Sequence, residues 1–274
     1  MAKNIFKGFS GPVAQSGSTL DDNVLWVDGG RDDDYVADGS FLAPYTTVGG
    51  AVAALTAARS TILILPGEYT ETASLSLPLF DCALIGVGVS SVVKIEAAVA
   101  ITSLVDISPD TLTGTTTYFL KNLYLDNGET SQVGVQVDNA DAGKKIIVQI
   151  QDCEFSDGGN AIDVDHDGAS DAVRLYIDRC YIEGALNYDV GNNGDRIRCL
   201  DCQLIGGLVT SADATTCEIL LQSCRVLHEG VTGGNAAQTV NVAACISDDD
   251  AGTYAAFDTD DLAGSHTESI LAFD

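Results

Sequence analysis

The chain has 274 residues, 46% of them apolar, with 40 acidic against 13 basic side chains and a formal charge of −27. Such a field keeps particles apart and repels polyanions, so nucleic acid is not expected as a partner, because gripping phosphates takes clustered Lys and Arg. No run of eighteen uncharged apolar residues is present, so no membrane span is expected, and Met1–Phe9 lacks the apolar stretch of a signal peptide.

Residues 1–22 show no helical or strand period and read as an extended arm. Lys3 and Lys7, two of the few cations, alternate there with Phe6 and Phe9 ahead of a Gly/Ser-rich stretch, a composition suited to docking on a partner. A strand follows at Val24–Val27, then an acidic loop from Asp28 to Asp34. Residues 47–58 are expected to form a short Ala-rich helix, with Val48, Val52 and Leu55 on one face, closing one end of the fold. Thr61–Leu65 reads as a buried parallel strand. Short strands continue around Leu75 and Leu77, at Ala83–Gly86 and at Val92–Ile95.

From residue 118 a repeat takes over. Six short alternating segments end in the same register, at Leu123, Cys153, Cys180, Cys202, Cys224 and Cys245, with steps of 30, 27, 22, 22 and 21 residues. Most carry apolar residues five and three places before the register residue, and four carry one two places after it (Phe155, Ile182, Leu204, Val226). A step settling in the low twenties indicates a solenoid of stacked coils. Five register residues being cysteine predicts a buried column of reduced thiols rather than a disulfide framework. Zinc is not expected, because Cys199 and Cys202 form a CxxC that the wider gap between Cys217 and Cys224 does not repeat. Beyond residue 250 the pattern dissolves, and the tail is expected to cap the far end or contact another subunit.

Leu25-Trp-Val-Asp28, Asp38-Gly-Ser40, Ala43-Pro-Tyr-Thr-Thr47, Ala51–Leu55 and Thr61-Ile-Leu-Ile-Leu-Pro-Gly-Glu-Tyr-Thr-Glu71 together resemble the N-terminal part of the pectin-lyase-like superfamily. The resemblance implies an all-β fold, a single right-handed parallel β-helix, here over residues 23–250 with a capping helix and the arm before it. The superfamily holds polysaccharide lyases and hydrolases as well as phage tailspikes, so fold alone leaves function open. Lyase chemistry, as the resemblance implies it, needs an acidic calcium cluster and a basic residue at the scissile bond. Arg174, Arg179, Arg196 and Arg198 fall in or near predicted strands beside Asp178 and Asp201, an arrangement equally expected of ordinary surface ion pairs. The forty carboxylates make any hydrolase pair unspecific. His166, His228 and His266 lack the Gly-His-Gly setting of polygalacturonases, and Trp26 is the one tryptophan.

The sharpest local motif is Asp163-Val-Asp-His-Asp-Gly168. Asp163, Asp165 and Asp167, with Asp171 further on, have the spacing of an oxygen-ligand calcium loop. Position 12 is Arg174, where an EF-hand places Glu, and a solvated acidic loop between coils has the same composition. Calcium is the sole cofactor the sequence suggests. The expectation drawn from these features is a structural bacteriophage virion protein, a decoration, head-spike or fibre-like homotrimer. It would be assembled in the host cytoplasm and attached to a capsid or other virion protein through Lys3, Phe6, Lys7 and Phe9, with glycan binding on exposed loops. The alternative is a polysaccharide lyase or hydrolase with an acidic groove on its coils.

Overall fold

The computed structural model describes residues 23–31, 35–109, 112, 114–128, 132–138, 144–156, 159–165, 172–188, 195–210, 217–227, 231–233 and 239–248, with strand segments at 254–256, 262–263 and 267–271. The arm at 1–22, with Lys3, Phe6, Lys7 and Phe9, lies outside the described residues.

Three sheets of ten, nine and eight strands wrap one core, each strand pairing parallel with its counterpart one coil on except at the end of the nine-stranded sheet, where Tyr254–Ala256 pairs antiparallel with Ile246–Asp248. This is the right-handed parallel β-helix that the repeat and the N-terminal motif anticipate. The ten-stranded sheet starts at Val24–Val27 and runs through Thr116–Lys121, Lys145–Gln151, Ala172–Asp178, Asp195–Leu200, Cys217–Gln222 and Thr239–Ala243 to Thr267–Leu271. With rungs ~4.8 Å apart, ten strands make a rod of about 45 Å.

Register explains the sequence pattern. Tyr118, Val148, Leu175, Ile197, Ile219 and Val240 are successive partners facing inward, as are Leu120, Ile150, Ile177, Cys199, Leu221 and Val242. All twelve are buried. These columns are the apolar positions five and three places before each register residue. A fully buried Ile or Leu contributes ~1.5–3 kcal/mol through area removed from water, and in-register stacking repeats that gain at every coil.

The register residues lie just beyond a corner. Asn122, Asp152, Arg179, Asp201, Ser223 and Ala244 each follow a strand of the ten-stranded sheet, with φ between 53° and 55°. This left-handed conformation turns the chain into the nine-stranded sheet within one residue, and it costs an L-residue ~1–2 kcal/mol unless the side chain is Gly, Asn or Asp. The corner amides keep the ladder going: Asp152 N–H donates to the Asp178 carbonyl at 3.0 Å, Arg179 N–H to Leu200 at 2.9 Å and Asp201 N–H to Gln222 at 3.0 Å. The next residue turns inward, so Leu123 and the five cysteines are all buried.

The thiols are free, as expected. Each of the five register thiols finds a backbone acceptor two residues back, with Cys202 Sγ donating to the Leu200 carbonyl at 3.2 Å and Cys224 Sγ to Gln222 at 3.3 Å. Burial pushes the Cys180 and Cys199 thiols well above their ordinary range and Cys82 up to about 12, whereas hydrogen bonds from Cys224 draw Cys202 and Cys245 below it; it is their burial that suits these thiols to the core rather than to nucleophilic work.

The capping helix α1, Val48–Ala53, is shorter than the expected 47–58. Gly49 and Gly50 give it little intrinsic helicity, and Ala54 leaves helical geometry at φ −96°, ψ 0°. Val48, Ala51 and Val52 are buried against the first coil as anticipated. Thr47 caps the N-terminus through Oγ1, which accepts from Gly50 N–H at 3.1 Å. Glu71, from the next coil, accepts from Val48 N–H at 2.9 Å and Gly49 N–H at 3.1 Å. Its carboxyl is buried, and that burial raises its pKa against the lowering effect of the two amides. Tyr69 donates to the Leu65 carbonyl at 2.7 Å. The Pro-Gly-x-Tyr-x-Glu signature therefore fastens the cap to the solenoid. Among the described residues, no helix is long and apolar enough to cross a membrane.

Candidate functional site

Two outward-facing regions carry polar side chains in register. The first is the eight-stranded sheet, where Ser76, Asp106, Gln136, Asp163 and Asn187 are successive lateral partners. Alternation along each strand points these residues outward, so they form a polar row with one side chain every ~4.8 Å. Asn187 Nδ2 donates to Asp163 Oδ1 at 2.6 Å, and Ser108 Oγ donates to Asp106 Oδ1 at 2.5 Å.

This placement puts the first half of the Asp-rich run in a strand rather than a loop. Asp163 and Asp165 belong to the strand Gly159–Asp165, paired laterally with Gln136 and Asp138. Both point from the same sheet face, because strand residues two apart share a side. Asp167 and Asp171 lie outside the described residues. Among the described residues, no cluster of three or more His, Cys, Asp or Glu is arranged to hold a metal.

The second region is an open groove of about 480 Å³ along the corner between the ten- and nine-stranded sheets. Its floor holds the corner residues Asn122, Asp152, Arg179 and Asp201, with Glu154, Tyr181 and Gln203 from the outer face of the nine-stranded sheet. Val89 and Ser90, leading into a single 3₁₀ turn at Ser90–Val92, form one lip, and Ser90 Oγ donates to Glu154 Oε1 at 2.5 Å. Arg179 forms a bidentate pair with Asp152, Nε to Oδ1 at 2.7 Å and Nη2 to Oδ2 at 3.0 Å, and reaches Asp178 at 2.8 Å. Lys121 stands 3.8 Å from Asp152. Tyr181 donates to Glu183 at 2.9 Å, and that carboxylate is the main cause of its raised pKa.

The arginines flagged by the sequence separate. Arg174 and Arg196 are lateral neighbours in the ten-stranded sheet, and Arg196 is ion-paired with Glu218 on the following rung. Arg198 lies beside Tyr176 and Leu220. Arg179 is the one of the four lining the groove, and its partners are Asp152 and Asp178. Further along the nine-stranded sheet, Lys94 is held by Glu96 at 2.7 Å and Asp126 at 2.9 Å. Those bonds raise the Lys94 pKa and lower that of Glu96. For Asp126, burial works upward, but Lys94 and Ser156 bring its carboxyl below the ordinary value.

Of the groove residues the sequence flags Arg179 and Asp201 but not Asn122, Asp152, Glu154 or Tyr181, because the repeat singles out the register positions. The corner position is the residue immediately before each of them, and its run of Asn, Asp, Arg, Asp, Ser was the available signal.

No family model matches the sequence, and no curated protein matches it. Among solved structures, the pectin methylesterase PemA from Erwinia chrysanthemi is similar with a TM-score of 0.47 and 13% identity, covering 94% of this chain and 92% of its own. The deglycosylated pectin methylesterase from Aspergillus niger gives a TM-score of 0.48 and 17% identity, covering 94% of this chain and 88% of its own. Likeness at this level carries no residue role or activity over to this chain.

Proposed function

We propose that this chain is a structural rod that serves by presenting its flanks, the virion decoration or spike role that its sequence suggests, and not by catalysis. The observation supporting this reading is how the outer charges are paired. Arg179, Lys94 and Arg196 are each tied to carboxylates. Where pKa values move in these groups, the cations Lys94 and Arg179 go up and the acids Glu96 and Asp126 go down. Proton transfer at neutral pH needs the opposite, a base lowered or an acid raised toward 7. The raised carboxyl of Glu71 is spent on the capping helix. Attachment would run through residues 1–22, assembly would be trimeric, and the polar row of the eight-stranded sheet would offer hydrogen bonds to a glycan.

A second reading, a polysaccharide-processing enzyme, is favoured by the gathering of Asp152, Glu154, Asp201 and Arg179 on neighbouring coils in one groove. One experiment separates the two. The purified chain is incubated with pectin and a panel of polysaccharides, and reducing ends, unsaturated products and methanol are measured. The structural reading expects no turnover, with full-length protein co-sedimenting with particles and a chain lacking residues 1–22 failing to do so. Turnover abolished by Asp152→Asn or Asp201→Asn would replace the structural reading with the enzymatic one.

A further inference from the structure

The outward faces of two sheets carry opposite charge. Among the described residues, alternation in the ten-stranded sheet turns five bases outward, Lys121, Lys145, Arg174, Arg196 and Arg198, against two acids, Asp178 and Glu218. The nine-stranded sheet has the reverse, with Glu68, Glu96, Asp126, Glu154 and Glu183 against Lys94 and Arg225. In a chain of 40 acidic and 13 basic residues, a face where bases outnumber acids is the exception. That face also turns Trp26, Phe119 and Tyr176 outward, each half-buried. Arginine and aromatic rings with few carboxylates are what the centre of a protein–protein interface concentrates.

We propose that the trimeric assembly of the structural reading, on which this inference rests, forms by setting the ten-stranded face of one copy against the nine-stranded face of the next. At a charge of −27 copies repel over most of their surface, so association needs a place where the sign reverses. Contact between two different faces is heterologous, and it closes into a ring where the rotation permits. The two faces share the left-handed corner as a common edge, so both can lie beside one axis. The polar row of the eight-stranded sheet then stays on the outside.

Height along the rod matches as well. In a ring of rods standing side by side, each coil faces the same coil of its neighbour. Three successive coils, ~4.8 Å apart, then bring base to acid: Lys121 to Asp126, Lys145 to Glu154 and Arg174 to Glu183. The last two pairs join charges that nothing neutralises within the chain. Lys145 and Arg174 form no ion pair among the described residues, and Arg174 Nε is buried without a hydrogen-bond partner. Glu154 and Glu183 accept from the uncharged hydroxyls of Ser90 and Tyr181. Asp126 already holds Lys94, and Lys121 stands 3.8 Å from Asp152, so the first pair adds least.

Sedimentation velocity of the full chain over a concentration series, in about 0.1 M salt, tests these faces. The expected result is a trimer whose half-dissociation concentration rises at least tenfold with Arg174→Glu and equally with Glu183→Arg, since each sets like charges together at every contact. The double variant exchanges the signs and should return to within about threefold of the parent. Lys145→Glu, Glu154→Lys and their combination should repeat the pattern. A folding defect is not repaired by a second reversed charge, so rescue reads the contact itself. Loss without rescue, association that stops at a dimer, or a trimer indifferent to every reversal would overturn these faces; the last would leave trimeric assembly standing. A monomeric parent would overturn both the faces and the assembly. Its retention on a heparin column, lost with Arg174→Glu/Arg198→Glu, would then assign the basic face to a polyanion.

Discussion

The left-handed corner makes a quantitative prediction at Ala244. This residue holds φ 54° on the surface, where its methyl group gains nothing to offset the strain. Asparagine tolerates that geometry, so Ala244→Asn should recover about 1 kcal/mol of the ~1–2 kcal/mol cost. At Arg179 the same change recovers a similar amount but loses the pairs to Asp152 and Asp178. The Arg179 side chain is 46% exposed, and half-exposed pairs contribute ~0.2–1 kcal/mol, so the net effect should be close to zero. Asn122→Ala runs the other way: it brings in the strain and removes the 3.3 Å bond from Asn122 Nδ2 to the Gly86 carbonyl, costing ~1.5–2 kcal/mol together. For a chain of this size 1 kcal/mol moves Tm by about 2–4 °C. The three variants should therefore rank as a rise of about 3 °C, no change, and a fall of about 5 °C. Thermal melts by circular dichroism give the ranking. Because solenoid coils can open separately, amide exchange across 239–248 reads the Ala244 coil directly. A melting point for Ala244→Asn at or below that of the parent, with Asn122→Ala unchanged, would mean that these corners do not carry left-handed strain and that the register drawn through them is wrong.

Gly86→Ala should destabilise by ~1–3 kcal/mol in urea titration, because its Cβ would run into the Asn122 carbonyl oxygen where the next coil turns the corner. Glu71 has a folded pKa raised above its unfolded value, so proton uptake favours the native state and its charge weighs against stability as pH rises through that window. The Tm of Glu71→Gln relative to the parent should therefore rise from acidic to neutral pH, and a flat difference would contradict the buried setting. A thiol reagent should label essentially none of the seven buried cysteines until denaturant is added, and rapid native labelling at Cys153 or Cys180 would remove the inward column. Chelator should leave Tm within about 1 °C, because Asp163 and Asp165 project from a strand; a larger fall reversed by calcium would restore a cation site spanning Asp163 to Asp171.

What the sequence reveals and what it hides divide along the two faces of each strand. Inward positions must stack on their own kind at every coil, so they repeat, and Leu123, Cys153, Cys180, Cys202, Cys224 and Cys245 align in the sequence itself. Outward positions meet water and are free to vary. Arg179 could thus be seen beside Asp178 in sequence, whereas its bidentate partner Asp152, 27 residues away, became visible only once one coil lay on the next. The Asp-rich run is ambiguous for the same reason. Carboxylates at alternate positions suit a calcium loop and also the solvent face of a strand, and the inward Val164 between Asp163 and Asp165 decides for the strand. The capping helix is shorter than its alanine content suggests because Gly49 and Gly50 weaken it and Ala54 leaves helical geometry.

The same division bears on function. A site that works by proton transfer needs a group held away from its solution pKa by an environment the fold maintains. Among the described residues the core buries thiols, tyrosines and two carboxylates that accept from backbone amides, Glu71 at the cap and Asp195, which accepts from Val173 N–H at 2.7 Å, while the flanks supply neighbours of opposite sign one rung away. Lys94 between Glu96 and Asp126, and Arg179 between Asp152 and Asp178, show the outcome: both cations are raised by their carboxylate partners, and Glu96 and Asp126 are lowered by Lys94. A partner can read such a surface through hydrogen bonds and charge, but a reaction gains little from it. If turnover is nonetheless found, its acid or base must come from a group that no such pair fixes, and Asp201, exposed at the groove corner, is the first residue to substitute.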